Sequence, residues 1–400
     1  MPEVSLNGLV LVAAIAFLAP LLLGLAPRLR LPAVVLEILA GIAIGPSGLG
    51  WVRPDVVIEV LALIGLAMLL FLAGMEVEPD RFRGRPLKIA LEGFAISIAA
   101  GLLLGVVLER LGMLDHPVLF AIALSATSLG LITPVLKDAG QSSSPLGQLT
   151  ITASSIADFA AVILLSLLFS REGEGPGSTL ILLGGFVVMA ALLGVALAGA
   201  GRSMKISETL LRLQDTTAEI RVRGAMLLLV GMSALAQRLG LEVILAAFVA
   251  GAILKLVDRD VMLTHPNFRV KLDAIGYGFV IPVFFISSGL RFNLASLFES
   301  ASSLAAVPVF LAALLVVRGL PALLFRADLG NRGALTAALL QATSLPFIVA
   351  TTQIGLELGA IREGTAAALV GAGLISVIVF PVTAVTLLGR GTPAQPSAEP

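Results

Sequence analysis

The residue best placed to do chemistry is Asp158, which stands midway along an apolar run, ITASSIADFAAVILL. An aspartate at the centre of a bilayer costs at least about 2.5–3.5 kcal/mol on insertion scales, so its presence there points to function. Burial disfavours the charged carboxylate. Such a group can hold a proton at one moment and a desolvated cation at the next, and competition of two ligands for one site is the minimal mechanism of exchange. Ser154 lies four residues earlier, one turn away on the same helix face. The bland alternative for Asp158 is one half of a structural ion pair.

Arg318 lies deep in a second apolar run, FLAALLVVRGLPALLF. A guanidinium does not deprotonate, so it needs a partner or water. Asp158 is the direct or indirect partner by elimination; helix-end carbonyls are the alternative. Glu37 sits about one turn into its own run, where helix packing and transport are both open roles. Two runs carry interruptions. ALSATSLGLITPVL places Gly130 and Pro134 after the pair Thr127 and Ser128, and LLQATSLPFIVATTQIG places Pro346 directly after Thr343 and Ser344. Proline removes a donor and clashes with the preceding turn. A break inside a membrane is tolerated only where the freed carbonyls meet protein, water or an ion. Carbonyls and helix ends are what a bare cation needs beside a carboxylate. A kinked packing helix is the alternative for either run alone.

The elements that must position these residues are membrane-spanning helices. Of 400 residues, 58% are hydrophobic and 13% charged, too little charge to keep a soluble domain of this size dissolved. The apolar residues fall into blocks of roughly 18–25, the length that crosses about 30 Å of hydrocarbon as helix. Thirteen blocks are expected, near 8–26, 32–50, 57–75, 88–109, 117–137, 147–170, 178–200, 221–239, 242–256, 273–290, 302–325, 332–354 and 363–388. The first is read as a retained helix, because it lacks the basic flank and cleavage site of a signal peptide. With the N-terminus outside and the C-terminus inside, 19 of the 26 Lys and Arg fall on inside segments and six on outside loops. That asymmetry is the positive-inside bias, and it places the chain in the cell inner (plasma) membrane as a multi-pass protein. The inside connection 201–220 mixes basic residues with Ile206, Leu210, Leu213 and Ile220, as an amphipathic interfacial helix would. The polar, Pro-rich end, 389–400, is expected to be a disordered cytoplasmic tail. With no cysteine and with both histidines, His116 and His265, in expected loops, neither a cofactor nor a histidine metal site is expected. A net charge of zero gives no reason to expect a nucleic-acid partner.

Short motifs recur. Ala126-Thr127-Ser128-Leu129 returns as Ala342-Thr343-Ser344-Leu345, Ala40-Gly41 as Ala250-Gly251, and Ile64-Gly65 as Ile275-Gly276. Gly74, which closes Phe71-Leu-Ala-Gly74, is matched by Gly289 at the end of Phe285-Ile-Ser-Ser-Gly289. The offsets all fall between 210 and 216 residues and pair each span with the one seven later. Seven is odd, so paired spans cross in opposite directions. The expected organisation is a first six-helix repeat over 1–170, a connector helix with the linker over 171–220, and an inverted second repeat over 221–388. Inverted repeats with a site at the midplane, where discontinuous helices meet, mark secondary transporters; compositional coincidence is the competing explanation.

The segments PAVVLEILAGIAIGPSGLG, IGLAMLLFLAGMEVEPDRF, ALSATSLGLITPVLKD, LAAFVAGAIL and IPVFFISSGLRFNL resemble the monovalent cation–proton antiporters, in their sodium–proton and potassium–proton branch. The resemblance implies an all-α fold in which spans 5 and 12 unwind and cross. It also implies a homodimerisation domain from spans 1–3 and 8–10, beside a core of spans 4–6 and 11–13 that moves like an elevator. It assigns ion binding to Asp158, with Thr127 and Ser128 at the first break, Thr343 and Ser344 at the second, and Arg318 as the basic residue of span 11. Family members carry Asp, Asn or Gln just before the functional aspartate, where this chain has Ala157. A single carboxylate implies electroneutral exchange of Na+ or K+ for H+. The competing readings are a proton- or sodium-coupled transporter of an organic solute, for which one Trp and one Tyr offer little lining, and a channel or intramembrane enzyme. No HExxH, GxSxG or cysteine supports an enzyme.

Overall fold

A computed structural model describes residues 6–25, 32–76, 84–169, 184–186, 188–190, 192, 194, 195, 216, 218–239, 243–257, 267–298 and 301–389. The expected seventh span, the linker 201–220 and the tail 389–400 lie wholly or largely outside them. All regular structure among the described residues is helical. The helices are α1 (Leu6–Leu25), α2 (Ala33–Ile44), α3 (Val56–Met75), α4 (Gly84–Arg110), α5 (Pro117–Ser125), α6 (Leu129–Asp138) and α7 (Pro145–Leu168). They continue as α8 (Ile220–Arg238), α9 (Val243–Val257), α10 (Asn267–Ile275), a π segment (Gly276–Val280), α11 (Ile281–Leu290) and α12 (Leu294–Phe298). The last are α13 (Ala301–Gly319), a 3-10 turn (Leu320–Phe325), α14 (Arg326–Gln341), α15 (Pro346–Glu357) and α16 (Glu363–Gly389).

Eight helices among the described residues are long and apolar enough to cross a membrane, against thirteen expected spans. The shortfall has physical causes. Spans 2 and 9 are short apolar helices, span 5 is broken in two, spans 11 and 12 run on as one stretch over Ser302–Gln341, and span 7 lies outside the described residues. Exposed side chains such as Phe17, Leu192, Leu227 and Val230 leave apolar surface of the kind that lipid or another protein surface covers.

Two compact units emerge. The first takes residues 1–29, 33–78 and 162–294, so it holds α1–α3 and α8–α11. Its seams are built on glycine. A Cβ on Gly74 would strike the Phe248 carbonyl, and one on Gly251 the Phe71 carbonyl, so α3 and α9 touch backbone to backbone. The same holds for α2 and α11: Gly41 lies against the Ile286 carbonyl and Gly289 against that of Ile38. An apolar cluster of Val12, Ile44, Val52, Ile58, Val283, Ile286 and Leu290 fills the space beside the second seam. The π segment before α11 has a local cause. Pro282 cannot donate to residue 278 and its ring would strike that carbonyl; a wider turn relieves the clash, with Ile281 N donating to Gly276 O. At an end of this unit Arg269 pairs with Glu76 at 3.1 Å. Burial pushes the Glu76 carboxyl above its ordinary range and Arg269 opposes that push.

The second unit takes residues 30–32, 79–161 and 295–400. Here α4 packs on α5, and α16 on α13, α14 and α15. Ala90, Leu146, Ala153, Ile156, Ala322, Phe325, Ala337 and Ala338 form an apolar cluster. Two surface ion pairs join sequence-distant parts of this unit, Arg85 to Asp328 at 3.0 Å and Arg362 to Asp115 at 2.6 Å.

Candidate ion-binding site

Both expected interruptions are real, and they meet inside the second unit. The first falls at Ala126–Ser128, between α5 and α6. It comes earlier than the Gly130 and Pro134 signal suggested, and Pro134 lies within α6. The second falls at Thr343–Leu345, with Pro346 opening α15. Proline suits a first helical position, where the missing N–H would have no intrahelical partner. Ser128 N donates to Thr343 O at 3.0 Å, tying one break to the other.

Asp158, on α7, faces the first break. Its Oδ1 accepts the Thr127 main-chain N–H at 2.7 Å, a short charge-assisted hydrogen bond. That donor is available because the chain is not helical there. Arg318 is 1% exposed. Its Nε donates to Thr127 Oγ1 at 2.8 Å, one Nη to Ser97 Oγ at 3.1 Å, and the other to Gln341 Oε1 at 3.4 Å. Both hydroxyls can accept because each spends its proton elsewhere. Thr127 Oγ1 donates to Gln341 O at 2.8 Å, and Ser97 Oγ to Val317 O at 2.9 Å. The expected partnership of Arg318 with Asp158 is therefore indirect, running through the two ends of Thr127.

Of the remaining expected site residues, Thr343, Ser344 and Ser154 are buried and Ser128 is half-buried. Thr343 Oγ1 donates to Leu339 O, and Ser344 N donates to Ser376 Oγ, whose single proton has Gly373 O at 2.7 Å and Ser344 O at 3.1 Å as acceptors. Ser154 is fully buried, and its hydroxyl has no hydrogen-bond partner among the described residues. The Thr150, Ser344 and Thr351 hydroxyls and the Gln341 Nε2 share that condition. Leaving such groups unpaired costs about 1–3 kcal/mol each. No group of three or more His, Cys, Asp or Glu gathers anywhere among the described residues. A cation here would therefore rest on one carboxylate, hydroxyls and main-chain oxygens. Glu37 is buried on α2, in the first unit.

Three residues of this network were not anticipated: Ser97, Gln341 and Ser376. Gln341 did carry a signal, an amide inside an apolar run directly before the Ala-Thr-Ser-Leu motif. Ser97 and Ser376 carried none, because a lone serine in a membrane helix can bond its own backbone at little cost.

The family model for the sodium/hydrogen exchanger, transmembrane, matches residues 13–390. The chain belongs to that family. It is a family of transporters, and this member is a multi-pass membrane protein rather than an enzyme. Bacillus subtilis YjbQ is 31% identical over 397 residues, which cover 96% of this chain and 63% of the relative, so the chain spans somewhat less than two thirds of that protein's length. The Na(+)/H(+)-K(+) antiporter GerN of Bacillus cereus is 26% identical over 276 residues, 67% of each protein. Among solved structures, the sodium proton antiporter MjNhaP1 of Methanocaldococcus jannaschii at pH 8 superposes with a TM-score of 0.64 at 18% identity. The match covers 95% of this chain and 97% of that one. The exchanger thus shares the fold of MjNhaP1.

Proposed function

We propose that this exchanger carries a monovalent cation, Na+ or K+, against protons by competition at Asp158. The observation that carries the reading is that the half-buried carboxylate of Asp158 accepts from the main chain of a helix break, while the buried Arg318 is hydrogen-bonded to the side chain of the same residue, Thr127. Thr127, Ser128 and Ser154 would complete the ion's surroundings; Arg318, Thr343 and Ser344 would support them. With Ala157 beside it, Asp158 is a lone acid. One proton leaves for each cation that enters, so exchange is electroneutral.

The exchanger would work as a homodimer through its first unit, with the second moving as an elevator, N-terminus outside and C-terminus in the cytoplasm. Thirteen spans in two inverted six-helix repeats fit the contacts. The glycine seam of α2 with α11 repeats as that of α9 with α3, between motifs 210 to 215 residues apart. GerN, whose name includes both cations, leaves Na+ and K+ equally open here.

Purified protein in liposomes with a trapped pH dye, challenged with each alkali cation, tests the reading. The wild type dissipates the gradient for its own ion and generates no membrane potential. Asp158→Asn falls to the background of empty liposomes, whereas Glu37→Gln keeps at least partial activity. Exchange at the wild-type rate by Asp158→Asn would sink the assignment.

A further inference from the structure

Arg318 carries a charge that Asp158 attracts, yet all three of its described hydrogen bonds go to neutral acceptors. A guanidinium on the carboxylate would occupy the place that the reading above gives to the ion. Something must hold it off, and the geometry points to Gln341 as the positioning residue that does so.

Gln341 is 1% exposed and ends α14, at the brink of the second break. It acts at two atoms. Its main-chain carbonyl accepts the Thr127 hydroxyl at 2.8 Å, which turns that oxygen's lone pairs toward Arg318 Nε. Its side-chain Oε1 takes one Nη of the same guanidinium at 3.4 Å. The amide must present oxygen there, because nitrogen would set donor against donor. Nε2 is left buried with no partner among the described residues, a cost carried for the sake of Oε1. The position is also where the two motifs differ. Ser125 precedes the first Ala-Thr-Ser-Leu and bonds its own turn at Ile122 O, while Gln341 precedes the second and reaches across to α13. One break thus presents the carboxylate's donor and the other restrains the cation, and that asymmetry hangs on one amide.

The inference rests on Asp158 being the exchange site, and the experiment separates the two. Gln341→Met removes the Oε1 acceptor at similar volume; Thr127 Oγ1, Ser97 Oγ and the main-chain carbonyl of residue 341 stay in place, so the guanidinium is loosened on one side and leans toward Asp158. A positive neighbour favours the charged carboxylate over the protonated one. The acid limb of the exchange–pH profile then moves down by up to about one pH unit, because Arg318, whose charge already acts on Asp158, comes closer. The apparent KM for the cation rises at alkaline pH, because the guanidinium competes for the same oxygens. Gln341→Glu keeps an acceptor and holds Arg318 where it is, so the acid limb does not move down. A Gln341→Met profile and KM equal to wild type, or the same downward shift in both variants, overturns the inference. If Asp158→Asn still exchanges, the site reading itself fails and Gln341 falls with it. If Asp158→Asn is dead and Gln341→Met behaves as wild type, only the role of Gln341 is lost. Should Gln341→Met not fold, Gln341→Glu decides by its acid limb; failure of both to fold marks the residue as merely structural and counts against the proposal.

Discussion

The two units solve opposite problems with opposite materials. In the first, helices are joined by removing atoms: glycines at Gly41, Gly74, Gly251 and Gly289 let backbones touch. Lipid gives helices little hydrophobic reason to associate, so close van der Waals contact must supply it. In the second unit, helices are broken and buried polar groups are added: Asp158 meets Thr127, and Arg318 meets Thr127, Ser97 and Gln341. Such networks are costly when partly satisfied and specifying when complete. The difference teaches where change can be absorbed. A bare seam accepts no added atom, whereas a polar network survives in shape but loses its chemistry when one hydroxyl goes.

The largest expected effect breaks the first half of that comparison. Gly251→Val places a branched side chain against the Phe71 carbonyl, which cannot rotate away. Overpacking commonly costs 1–3 kcal/mol where side chains can yield; against backbone we expect about 3 kcal/mol or more. The protein should lose its monodisperse peak in size-exclusion chromatography and much of its thermal stability. Whatever fraction folds should keep the wild-type pH profile. A well-folded Gly251→Val exchanger with a shifted profile would mean that the first unit is no inert scaffold.

The next effect is large on transport and small on folding. Thr127→Val preserves the shape and the main-chain N–H that Asp158 accepts, while it removes the hydroxyl between Gln341 and Arg318. Two buried groups lose a partner, at about 1–3 kcal/mol each when nothing replaces it. Every 1.4 kcal/mol is a tenfold change in an equilibrium constant. Exchange should fall roughly tenfold or more, with the protein still monodisperse, and Thr127→Ser should recover most of it. Equal loss in the serine variant would show that the site needs the threonine methyl rather than its hydroxyl.

Much of this contrast was legible in the chain before any coordinates. Apolar blocks set helix positions to within a few residues, because helix length against bilayer thickness is a strong constraint. Proline after Thr343 and Ser344 marked the second break correctly. Pro134 misled at the first, because a proline six residues into a short helix marks a lost donor without marking where the helix opens. Asp158 and Arg318 were legible from their cost in apolar runs, but only Arg318 is fully buried while Asp158 is half-buried, and the path between them was not legible. Which hydroxyl accepts from a guanidinium depends on where that hydroxyl's own proton goes, and the Gln341 and Val317 carbonyls that take it are 214 and 220 residues away. The glycine motifs were read as repeat markers, and packing supplies the reason they recur.

The smallest effect sharpens the comparison inside the second unit, between its two surface ion pairs. Asp328 accepts from Arg85 alone among the described contacts, and Arg85 is largely exposed. Asp115 accepts from Arg362 Nε and also from the Arg362 main-chain N and Thr365 Oγ1, at the start of α16. Exposed pairs contribute about 0.2–1 kcal/mol, whereas Asp115 also carries two further hydrogen bonds of about 0.5–1.5 kcal/mol each. Asp115→Ala should therefore lower the unfolding temperature more than Asp328→Ala, measured on the same detergent-solubilised protein. Arg362→Ala should behave like Asp328→Ala, since it removes the ion pair and leaves both other donors, the main-chain N of residue 362 and Thr365 Oγ1, in place. If the three variants are equally destabilised, the ion pairs matter and the two added hydrogen bonds of Asp115 do not, and the polar contacts of this unit are more purely electrostatic than its hydrogen bonds suggest.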